Sequence, residues 1–145
     1  QTVRKHQKTH GKDFEQMTWI LALANYLQSQ SLGTTGTDLF IGTLPDVSGV
    51  GIVLTQYSGQ VVETQASGIA IHQPSLQVKV HGASEDYVTP LTRITAIQDA
   101  FSTITNETLS GIEFLRVKPI TSIIALGQDE NLVYDFTCNF EVSYA

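Results

Sequence analysis

Histidine, cysteine and paired carboxylates are the side chains here that could bind metal or move protons. The four histidines are His6, His10, His72 and His81. His6 and His10 stand four residues apart, the spacing of a metal pair on one helix face. No cysteine lies near them, and Arg4, Lys5, Lys8 and Lys12 surround them with positive charge that repels a cation. Incidental placement is the better reading. His81 falls on the wet side of an alternating strand beside Gly82, and a nucleophile–base pair there would need a partner that the sequence does not identify. Cys138 is alone, so the chain contains no disulfide framework or cysteine-based metal set, which fits a reducing cytoplasm. Glu85-Asp86 and Asp129-Glu130 are adjacent carboxylates in turns. The first pair is explained by a helix N-terminus.

Nucleotide chemistry has no support either, because neither a G-x-G-x-x-G turn nor a G-x-x-x-x-G-K-[ST] loop is present. Ser58-Gly59 and Ser67-Gly68 are turn pairs and form no G-x-S-x-G elbow. No catalytic residues and no cofactor are expected. An assembly subunit is the reading, not an enzyme.

Composition points the same way. The chain has 145 residues, 41% hydrophobic and only 15% charged. That is enough for one core, and it leaves a surface rich in Thr, Ser, Gln and Gly that costs little to desolvate. Net charge is −6, unevenly spread. Arg4, Lys5, Lys8 and Lys12 supply half of the 8 basic residues, so the remaining body carries about −10. Such a body is a poor nucleic-acid binder, since phosphate affinity comes from clustered Lys and Arg. The basic stretch 1–12 reads as an arm, and 13–145 as one domain. No apolar run is long enough to span a membrane, and residues 1–16 lack the apolar segment of a secretion signal. The one Met is Met17; the first sixteen residues could be an extension of a domain beginning there.

The elements that must carry these residues follow from periodicity. Phe14, Met17, Ile20, Leu21, Ala24 and Leu27 recur at helical steps, predicting a helix over 13–30, capped by Asp13 and ended by Gly33 and Gly36. Trp19 and Tyr26 lie off this stripe; they widen the apolar face or mark an outside contact. Strands are expected at 38–43, 51–57 and 75–81, with 60–74 ambiguous and Gly82 breaking the third. Tyr87, Leu91, Ile94, Ile97, Phe101 and Ile104 form a second helical stripe. It starts with Thr89 as cap and Pro90 at the first position, or with a turn from Ser84 bent at Pro90, and Asn106 closes it. Strands at 111–117, 120–126 and 132–144 complete the chain. The last alternates strictly over thirteen residues, which suits a central strand forming a hairpin with 120–126. The fold class is α+β: two helices packed on a mixed, mainly antiparallel sheet, in the order α-β-β-β-α-β-β-β.

Three stretches carry a resemblance. Residues 38–59, DLFIGTLPDVSGVGIVLTQYSG, resemble the early strand pair of small minor capsid and tail-completion proteins of long-tailed (siphovirus-type) bacteriophages. Residues 74–102, PSLQVKVHGASEDYVTPLTRITAIQDAFS, look like their strand-then-helix centre, with His81 where Arg is more usual. Residues 133–144, VYDFTCNFEVSY, resemble their closing strand. The resemblance implies a tail terminator of the virion tail and neck, assembled in the host bacterial cytoplasm. Members form a ring, usually of six subunits, on the last ring of the tail tube. They stop further tube addition and meet the head-neck (connector) proteins, and DNA passes through the bore without specific binding. Candidate contact residues are Arg4, Lys5, Lys8, Lys12, His81, Asp129 and Glu130. A head-closure or tail-tube subunit is the nearest alternative, although tube proteins need a long hairpin and the turns here read as short. A small ligand-binding module is a more distant one.

Overall fold

In the computed structural model of the chain the described residues are 19–47, 49–62 and 71–145. The basic arm 1–12, His6, His10, the first turn of the expected helix and Met17 lie outside them, as do residues 63–70, part of the ambiguous stretch 60–74. Helix α1 covers 19–29 of the described chain and α2 is Val88–Ser102. The strands are β1 Leu39–Ile41, β2 Gly51–Val62, β3 Ile71–Ser84, β4 Thr105–Leu109, β5 Ile112–Pro119, β6 Ile124–Gln128 and β7 Val133–Tyr144. They form one mixed sheet in the order β1-β2-β3-β7-β5-β4, with β6 also on β7. Among the described strands only the β1–β2 pair is parallel. Two helices on a mostly antiparallel sheet in a single domain is the expected class.

β7 is the centre of the sheet. One edge pairs with β3 from Ser84↔Val133 to His72↔Tyr144. The other edge is shared by β6, opposite Tyr134 to Thr137, and β5, opposite Phe140 to Tyr144. The hairpin expected with 120–126 is therefore present, with its strand starting later. Pro119 has no N–H to continue the ladder. The connection after it still holds to β7: Ile120 N–H donates to the Asn139 carbonyl at 2.9 Å, and Asn139 N–H donates to Thr121 Oγ1 at 3.0 Å.

Both helices lie on one face, because the alternation of the strands puts one apolar row there. Leu76, Val78 and Val80 of β3 and Phe136, Cys138, Phe140 and Val142 of β7 are fully or almost fully buried against Leu23 and Leu27 of α1 and Ile94, Ile97 and Phe101 of α2. Trp19 is 2% exposed and stacks on Tyr144. Tyr26 stacks on Phe101, so both residues off the predicted stripe widen the core face.

Several boundaries differ from expectation, each for a local reason. α1 ends before Gly33: Ser31 takes φ 60°, and Leu32 N–H reaches back to the Leu27 carbonyl at 3.0 Å, a left-handed helix cap made by serine. Gly82 does not break β3. A Cβ there would lie 2.8 Å from Pro90 Cγ and 3.1 Å from the Tyr134 carbonyl oxygen, so the glycine lets the first turn of α2 press onto the sheet. α2 starts at Val88, and the side chain that satisfies its first turn belongs to Asp86, which accepts the Thr89 N–H at 3.1 Å. The helix stops at Ser102 instead of Asn106, and a further strand follows. Ser110 and Gly111, at φ 50° and 80°, form the two-residue turn joining β4 to β5, where Leu109 faces Ile112. β4 is a short, polar edge strand, and its composition hid it.

Candidate assembly interface

The second face of the sheet carries no helix among the described residues. Its side chains form cross-strand rows fixed by register. Gly51, His81 and Asp135 make the first row, and Val53, Lys79, Thr137 and Ile124 the second. Below them come Thr55, Gln77 and Asn139, and then Ser75, Glu141 and Lys118. Arg116 faces Ser143 at the far end. Leu44 and Val47 fold over Gly51 at one margin, and Val53 and Thr137 are each only 7% exposed.

One carboxylate on this face, Asp135, engages two neighbours. His81 Nδ1 and Asp135 Oδ1 are 2.5 Å apart, and Lys79 Nζ is 3.4 Å from the other carboxylate oxygen. The partner that His81 lacked in the sequence is thus Asp135, brought opposite it by the β3–β7 register. Asp135 pairs with both His81 and Lys79, and these contacts include no nucleophile. Strand alternation alone puts Lys79, His81 and Asp135 on wet faces; only register puts them together. Asn139 Oδ1 is the buried side-chain acceptor without a hydrogen-bond partner among the described residues.

Asp129, a candidate contact residue, is also engaged within its own turn. Its Oδ1 accepts the Asn131 N–H at 2.8 Å and the Val133 N–H at 3.0 Å, so it organises the β6–β7 turn. These bonds, the one from Val133 foremost, hold its carboxyl below the ordinary value, helped by the nearby His81. The Asp86 carboxyl is lowered too, chiefly by its bonds from Thr89. Glu130 remains exposed beside Asp129. Arg93, singled out by nothing in the sequence, donates to the Leu32 carbonyl at 2.9 Å and lies 3.7 Å from Asp38, tying α2 to the segment after α1. Cys138 is buried and receives a bond from Gln98 Nε2 at 3.1 Å; burial pushes its thiol up, away from reactivity.

Open strand edges complete the surface. β2 is covered by β1 only at Ile52–Leu54, and every residue of β6 is exposed. Among the described residues no three His, Cys, Asp or Glu gather as a metal set. The molecule is a small α+β subunit that offers a polar face and free edges.

Residues 26–145 match the family described as bacteriophage tail terminator protein, and the chain belongs to that family. It is a structural tail protein and a component of the virion. A chain in the virion of a native gene transfer agent particle has a similar fold, with a TM-score of 0.57 and 15% identity over 84% of this chain and 83% of that one. No match is found among curated proteins.

Proposed function

We propose that the protein caps the tail tube as a ring of copies, halts addition of tube subunits and presents its outer side to head-neck proteins. The observation that carries this reading is the open face. It is a ladder of mostly uncharged polar side chains and few charges, with Asp135 held by His81 and Lys79 within the subunit, so that covering it costs little desolvation. Family membership supports the terminator role, and the six-fold ring is what the resemblance implies. Lys79, His81 and Asp135 lie on the contact face, with Glu130 at its end. An acidic body suits a bore through which DNA slides, since carboxylates displace no counterions from the DNA phosphates and so do not hold it.

The direct test adds purified protein to polymerising tube subunits and measures tube length by electron microscopy. Capping predicts shortened tubes at about one ring per tube end, with no nucleotide or metal required. Incorporation along the whole tube would instead make the protein a tube subunit. One observation favours that second reading: β2 and β3 form a long antiparallel pair, 12 and 14 residues per strand.

A further inference from the structure

Exposed apolar side chains gather at one pole of the sheet. Tyr87, Val88 and Leu132 are 44%, 69% and 45% exposed where the β3–α2 turn meets the β6–β7 turn. The two turns are joined: Glu85 N–H donates to the Leu132 carbonyl at 2.8 Å, and the Ser84 hydroxyl donates to the Asn131 carbonyl at 3.2 Å. Tyr87 stands edge-on to Tyr134 and Phe136, with ring centres 5.0 and 5.2 Å away, leaving much of its ring to solvent. Glu85, Asp86, Asp129 and Glu130 surround this patch, and neither turn contains Lys or Arg. Lys79 and His81 nearby are engaged by Asp135. Leu132 also holds φ 62°, a conformation that suits Gly or Asn better, yet it is an exposed leucine.

The chain's densest positive charge, Arg4, Lys5, Lys8 and Lys12, precedes Trp19 in the sequence, and Trp19 marks the other pole. Trp19 stacks on Tyr144, which pairs with His72 at the far end of β3. From His72 to Ser84 is roughly 40 Å of strand, at about 3.3 Å per residue. Fully extended, the chain from Trp19 carries Lys12 at most about 24 Å away and Lys8 about 37 Å, at roughly 3.4 Å per residue. Lys5 and Arg4, at about 48 and 51 Å by the same measure, span that distance while Lys8 and Lys12 fall short. The four charges therefore cannot seat together on the pole of their own subunit, whereas the pole of a neighbouring copy can take all four.

We propose that the pole formed by Tyr87, Val88, Leu132 and the four carboxylates receives the basic segment 1–12 of a second copy of this chain. Opposite poles then meet head to tail, the heterologous contact that closes into a ring when the rotation allows. The proposal rests on the ring reading for that closure, and the contact itself is tested separately.

The probe is a fluorescein-labelled peptide of residues 1–18, titrated by anisotropy into full-length chain carrying Arg4→Gln, Lys5→Gln, Lys8→Gln and Lys12→Gln, which removes self-competition. Binding is expected at low salt and weakens as salt rises. It falls at least tenfold with Glu85→Gln plus Glu130→Gln. Leu132→Asn also weakens it tenfold or more while leaving Tm unchanged or raised, because Asn tolerates that backbone; a purely structural role would lower Tm instead. Mixing arm-substituted with pole-substituted full chains is expected to give heterodimers on native mass spectrometry from two species that are each monomeric alone. Absent peptide binding, or binding indifferent to the pole substitutions, overturns the contact. Tube capping at full potency by the pole-substituted chain overturns it too and leaves the capping reading intact. Peptide binding as expected without capping keeps the contact and removes the capping reading.

Discussion

The two faces of the sheet are built from the same strands and have opposite chemistry. On the helix side Val78, Val80, Phe136 and Phe140 are at most 1% exposed and lock the helices down. On the other side their immediate neighbours Lys79, His81, Asp135 and Asn139 are polar, and their order comes from cross-strand pairing. One face stores the stability, and the other is free to be spent on partners. A residue's effect on folding and its effect on assembly should therefore separate by strand parity.

The sharpest test of that split is Phe101→Ala. Phe101 is fully buried and edge-on to Phe140, and emptying the site should cost about 3–5 kcal/mol in urea unfolding. A loss below about 1 kcal/mol would mean that the helix face is not the core. Gly82→Ala comes next. Its new Cβ would crowd Pro90 and the Tyr134 carbonyl, with an expected loss of about 1–3 kcal/mol as α2 lifts from the sheet. On the polar face the effect should be smaller. Asp135→Ala removes the partner of both His81 and Lys79, all three partly exposed, and should cost about 1 kcal/mol or less. A double-mutant cycle with His81→Ala isolates the pair. A cost as large as that of Phe101→Ala would erase the distinction between the faces.

The smallest expected effect is acid loosening of the two turns. The carboxyls of Asp86 and Asp129 are both lowered from 3.8 in the folded chain. A lowered carboxyl stabilises the fold above its unfolded value, and that contribution is lost as pH falls through the folded value. Amide shifts of Thr89, Asn131 and Val133 should therefore move together, with midpoints below 3.8. Midpoints above it would contradict the hydrogen bonds.

The covered face was readable in advance because alternation and helical stripes report directly on burial. That is why the α2 stripe through Ile94, Ile97 and Phe101 and the central placement of β7 could be read from order alone. The polar face was not, since His81 and Asp135 lie 54 positions apart and only strand register joins them. β4 escaped because TNETL is polar on an edge, and Gly82 because close approach and strand breaking leave the same residue in a sequence. Asp129 was seen as a surface acid; its two N–H partners depend on a turn whose closure involves Leu132 at positive φ.

The central claim is that this subunit ends the tail tube, and tail length in particles assembled without it tests that claim most directly. Electron microscopy of phage lacking the protein should show tails of irregular, excessive length that fail to join filled heads. Tails of normal, uniform length made in its absence would contradict the account.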